Sequence, residues 1–188
     1  MKKYICLVIG IIAVVQLSAQ EAGEEQRGFQ KDKLFAGGNF GLSFGDYTII
    51  NISPQLGYRF NPYLAAGIGL NGQYVSIKDR YNGSNYSKTS QGVMGFNVFG
   101  RVYPLQWFML QLQPEVNYLF GKQIYYGPPR QEYKLDATIA PSLLAGAGLV
   151  FPGGRGAFII SAFYDVLQNQ NSPYGKKPII NFTYNVGL

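Results

Sequence analysis

From Leu34 to the end, the chain alternates apolar with small or polar residues at a period of two. In the first such run Leu34, Ala36, Gly38, Phe40 and Leu42 share one face, while Phe35, Gly37, Asn39, Gly41 and Ser43 share the other. Successive side chains of a β-strand point to opposite faces, so this pattern predicts a strand with one greasy side. The same alternation predicts seven more strands, over 48–60, 64–76, 94–102, 108–120, 138–151, 158–166 and 180–188. In the fifth, Phe108, Leu110, Leu112, Pro114, Val116, Tyr118 and Phe120 oppose Gln111, Gln113, Glu115 and Asn117.

The two faces differ in charge. The apolar faces of all eight segments carry no Asp, Glu, Lys or Arg, whereas the opposite faces hold Arg59, Arg101, Glu115 and Asp165. A soluble barrel or sandwich puts its charge outside and its grease inside. An eight-stranded, antiparallel, up-and-down transmembrane β-barrel does the reverse, and closure satisfies every backbone group within hydrocarbon. The connections agree with that fold. Short turns at Asn61-Pro62, 104–106 and 152–156 alternate with longer polar loops expected at 78–91, 121–136 and 168–178, the first loop near Gly45-Asp46 being tight. Aromatic residues fall at strand ends: Tyr58, Phe60, Phe108, Phe151 and Phe158 at one level, Phe44, Tyr74, Tyr118, Phe120 and Tyr164 at the other. Amphipathic rings favour the two interfaces of a bilayer. Pro54, Pro114 and Pro141 sit inside predicted strands, where the missing N–H calls for bulges or local bends.

Composition sharpens this reading. Charged residues make up 14% of the chain and aromatic residues 15%, with 24 glycines, while mean hydropathy is near zero. Such a balance fits an apolar exterior averaged with a polar lumen. At the N-terminus Lys2 and Lys3 precede an apolar run, Tyr4 to Val15, and Ser18-Ala19 supplies small residues at a cut site. The run is shorter than the roughly 20 residues of a membrane span, so residues 1–19 are expected to be a cleaved signal peptide. Residues 20–32 read as a flexible periplasmic lead-in and 33–188 as the barrel. Cys6 lies inside the removed segment, leaving no thiol chemistry in the mature chain. Loss of Lys2 and Lys3 lowers the formal charge from +6 to +4, too weak and too scattered to argue for nucleic acid.

The hairpin ISPQLGYRFNPYLAAGIGLNGQY, Ile52 to Tyr74, resembles one that recurs in small bacterial outer-membrane barrels, the OmpA/OmpX-like proteins and their porin-family relatives. The C-terminal NFTYNVGL is similar to the last-strand signal read by the barrel-assembly machinery, with Leu188 where a terminal aromatic is usual. The resemblance implies a monomeric protein in the outer membrane of a Gram-negative bacterium. Its partners would be outer-membrane lipid, lipopolysaccharide included, and the assembly machinery during biogenesis. Fold does not carry function with it.

The residues that remain bound the chemistry. The chain has no histidine, the residue on which enzymes among such barrels depend, so no catalysis, cofactor or metal is expected. Arg59, Arg101, Glu115 and Asp165 are expected to form a lumenal network of ion pairs and hydrogen bonds that plugs a narrow barrel. An apolar cavity beside Gly67, Gly69, Gly146 and Gly148, lined by Phe99, Leu144 and Phe163, is a further possibility of the pattern. Lys78, Arg80, Lys88, Lys122, Arg130, Lys134, Lys176 and Lys177 are expected on surface loops, where lysine and arginine suit lipopolysaccharide phosphates or an external partner. Asn82-Gly83-Ser84 reads as a turn. A structural or surface-interaction role follows, with a narrow conduit for small or hydrophobic solutes as the alternative.

Overall fold

The structure is a computed structural model that describes residues 30–43, 47–81, 84–174 and 178–188. The expected signal peptide, most of the lead-in, the first loop at 44–46, Asn82-Gly83, Lys176 and Lys177 lie outside the described residues. The compact unit Lys31–Leu188 opens with a single 3-10 turn, Lys31–Lys33. Eight antiparallel strands follow: β1 Leu34–Ser43, β2 Tyr47–Asn61, β3 Leu64–Tyr81, β4 Ser84–Leu105, β5 Phe108–Tyr125, β6 Gln131–Gly153, β7 Gly156–Asp165 and β8 Ile179–Gly187. Each pairs with its sequence neighbours, and β1 pairs with β8 to close the barrel.

The predicted faces are the observed ones. Phe40, Ile52, Leu70, Met94, Phe96, Leu112, Val116, Ile139 and Phe182 all point outward and are exposed. Phe35, Phe99, Met109, Leu144, Ile159 and Phe163 point inward and are buried. Glycine makes room for these inward rings. A side chain at Gly57 would meet the Phe35 ring, one at Gly67 the Phe99 ring, and one at Gly146 the Phe163 ring. Side chains meet the expected apolar cavity at Gly67, Gly146 and Gly148, which Phe99, Phe163 and Met109 approach, while Gly69, Leu144 and Phe163 line a cavity whose other lining residues are mostly polar rather than apolar.

Two of the expected loops are strands instead. β3 and β4 run on to Tyr81 and from Ser84, and β5 and β6 run on to Tyr125 and from Gln131. Polar residues in 78–91 and 121–136 hide the strand signal, because the apolar half of the period-two alternation is missing there. β3 to β6 thus form a four-stranded sheet that continues past the ends of β2 and β7. The ladder of β6 with β7 reaches only to Leu144, and Leu143 is held by Val166 and Asp165, so among the described residues Gln131–Ser142 is a free edge on that side.

Of the bulges or local bends expected at the strand prolines, no register-shifting bulge occurs at Pro54 or Pro114. The β2–β3 ladder lacks the rungs of Ser53 and Pro54, and the β4–β5 ladder lacks those of Gln113 and Pro114; the register is the same on both sides of each gap. Pro141 lies on the free edge of β6, where no partner asks for its N–H.

Candidate functional site

The lumen is built on the inward side of β5. Period-two geometry puts Gln111, Gln113, Glu115 and Asn117 in one column along that strand. Arg101, inward on β4, faces Gln111 across the ladder. Its Nε donates to Gln111 Oε1 at 2.6 Å, Gln111 Nε2 to Gln113 Oε1 at 2.7 Å, and Gln113 Nε2 to Glu115 Oε2 at 3.0 Å. A cation and a carboxylate are thus joined through two amides whose dipoles all point the same way. Aligned hydrogen-bond chains polarise one another in a low dielectric.

Other amides complete the carboxylate's shell. Asn71 Nδ2 donates to Glu115 Oε2 at 2.9 Å, Asn117 Nδ2 to Oε1 at 2.6 Å, and Asn97 Nδ2 to Asn71 Oδ1 at 2.9 Å. On the other side, Arg101 Nη2 donates to Gln55 Oε1 at 2.8 Å, and Gln55 Nε2 to Asn185 Oδ1 at 2.7 Å. The Arg101 guanidinium also lies 4.5 Å from the Phe99 ring centre and 5.8 Å from that of Phe35. Cations over aromatic faces are stabilised further when desolvated. Phe35, Phe99, Met109 and Ile159 form an apolar layer across the lumen at this level.

The four residues expected to form this network divide three ways. Arg101 and Glu115 belong to it, joined through glutamines rather than by direct contact. Asp165 sits apart, at the end of β7. Its Oδ1 accepts the N–H groups of Leu143 and Leu167, each at 3.1 Å, and its Oδ2 accepts Ser172 Oγ at 2.6 Å. It terminates the β6–β7 ladder and ties down the segment leading to β8. Arg59 is exposed at the short-turn end, its guanidinium 5.3 Å from the Tyr103 ring centre. There it lines a mouth of about 540 Å3 together with Lys33, Tyr103 and Arg155. Between β7 and β8, Tyr174 reaches in toward Glu115 and Asn117; burial, then the Glu115 carboxylate, push its phenol above the ordinary value.

No family model matches the chain, and no curated protein matches it. Among solved structures it is similar to Ail, the attachment invasion locus protein of Yersinia pestis. Identity is 15%, the match covers 82% of this chain and 92% of that one, and the TM-score is 0.40.

The basic residues expected on loops lie mainly on the tall sheet. Lys78 is on β3, Arg80 on β3, Lys88 on β4, Lys122 on β5 and Lys134 on β6; Arg130 is in the β5–β6 connection, stacked 5.6 Å from the Tyr126 ring centre. Lys78 stands directly across from Lys88, and Lys122 directly across from Lys134. All four share the outward face, two to four residues beyond Tyr74 and Phe120. Like charges directly opposite on a sheet repel. Glu132 meets Lys122 at 3.0 Å.

Sequence reasoning named the ionised lumenal residues and passed over the amides. The signal was there in the alternation of Gln111, Gln113, Glu115 and Asn117, but which cross-strand amides meet them is set by register.

Proposed function

We propose that the chain is an outer-membrane β-barrel of a Gram-negative bacterium that serves at the cell surface as a structural or interaction protein and is not an enzyme. The observation that carries this reading is the stack of bands on the outer wall. An uncharged apolar belt is edged by Tyr74, Tyr118 and Phe120, and directly beyond it stand Lys78, Lys88, Lys122 and Lys134. Lys122 has Glu132 beside it, and the cross-strand pairs Lys78–Lys88 and Lys122–Lys134 call for further anions. The anions within reach of a side chain just above the lipid belt are head-group phosphates, those of lipopolysaccharide in an outer leaflet. The upper sheet, with its free β6 edge, stands in water beyond them, open to an external partner.

The test compares the wild type with a variant carrying Lys78→Gln, Lys88→Gln, Lys122→Gln and Lys134→Gln. Thermal unfolding is followed by the heat-modifiable gel shift in vesicles of phosphatidylcholine with and without lipopolysaccharide. Lipopolysaccharide should raise the wild-type midpoint and leave the variant unchanged, with the increment shrinking in salt. An equal increment in both proteins would refute contact through these lysines.

A further inference from the structure

The lumen holds a chamber on the loop side of its apolar layer. Its volume is about 420 Å3, within the roughly 300–1,000 Å3 range of small-molecule sites. It shares no lining residue with the mouth at the short-turn end, and Phe35, Phe99, Met109 and Ile159 lie between the two. Nine of its described lining side chains are carboxamides, among them Asn39, Asn51, Gln73, Asn97, Gln113 and Asn181. Arg101 is the one charged side chain among the described lining residues, and Phe163 and Tyr174 contribute ring faces.

We propose that this chamber binds a neutral, hydroxyl-rich solute of monosaccharide size. The lining selects by what it leaves unsatisfied. An apolar guest would strand the amides without partners, at about 1–3 kcal/mol for each group. A cation would face Arg101. An anion would find a guanidinium whose charge is already coupled through Gln111 and Gln113 to Glu115.

A hydroxyl group donates and accepts, and so does a carboxamide, so a polyol matches this wall in both senses. Gln55, Asn97, Gln111 and Gln113 are held in place by the network that ends on Glu115 and Asn185, which fixes their geometry before a guest arrives.

The test titrates the chain in detergent micelles with glucose, galactose, glucuronate, inorganic phosphate and cyclohexane. Binding is read from the 15N–1H signals of the side-chain carboxamides. A neutral sugar should give saturable shifts with a dissociation constant on the order of 1 mM. Gln73→Leu and Asn181→Leu should each weaken it about tenfold, and Gln106→Leu at the opposite mouth should leave it unchanged, all three keeping the heat-modifiable shift of a folded barrel. Failure of both sugars to saturate would overturn the proposal and make this a water-filled chamber. Tighter binding of glucuronate, phosphate or cyclohexane than of either sugar, or wild-type sugar binding by both leucine variants, would overturn it equally.

Discussion

Arg101 and Glu115 make no direct contact, yet each sets the conditions of the other. Removing one leaves a buried charge at the end of a polarised chain of amides, the situation in which uncompensated charge is most costly. Arg101→Gln and Glu115→Gln should each destabilise the barrel by about 3 kcal/mol. The double variant should cost less than the sum, with a coupling of about 1 kcal/mol. Urea unfolding of the four proteins in one lipid gives this cycle; strict additivity would mean that the glutamines transmit nothing. Glycine offers a second comparison. A Cβ at Gly67 would run into the Phe99 ring and the β2 backbone, while one at Gly100 meets nothing within 4 Å. Gly67→Ala should therefore cost about 1–3 kcal/mol and Gly100→Ala less than about 0.5 kcal/mol, measured by the same unfolding.

At the level of the strand, the consequential feature is that β6 outlasts β7. Beyond Leu144 toward β7 it is paired on both sides; among the described residues, Gln131 to Ser142 pair with β5 alone, with a register shift opposite Leu119–Gly121. Antiparallel strands alternate the neighbour to which each N–H points. Amide exchange along this stretch should consequently alternate, with protected groups facing β5 and rapidly exchanging groups facing outward. Uniform protection in hydrogen-exchange spectra would show that another strand covers this edge. Asp165 decides where the change occurs, since its carboxylate accepts the Leu143 N–H at the point where β7 turns away. A long free edge is a liability in solution, and here Pro141 and the exposed, charged Glu132, Lys134 and Asp136 temper it.

For the molecule as a whole, eight strands enclose a narrow lumen that side chains divide into a chamber and a mouth. Phe35, Phe99, Met109 and Ile159 close it between the chamber and the short-turn mouth. The folded barrel in a planar bilayer should give no reproducible conductance steps. Steps of fixed size would show that this layer parts and would revive the reading of the chain as a conduit.

The strands, their faces and the outward apolar belt were legible in the chain because period-two alternation is a local property, enforced wherever one side of a strand meets lipid and the other a packed lumen. The short turns were legible for the same reason, since they interrupt the pattern between paired strands, but the one expected at 104–106 falls at Gln106-Trp107 because Pro104 and Leu105 extend β4. The upper sheet was not, because its residues are mostly polar on both faces and Lys78, Lys88, Lys122 and Lys134 look like loop residues until their backbones are seen to pair. Nor could the alternation say that Asp165 would cap a ladder while Glu115 collected three amides. Those partners come from different strands, and only closure of the barrel in one register brings them within hydrogen-bond reach.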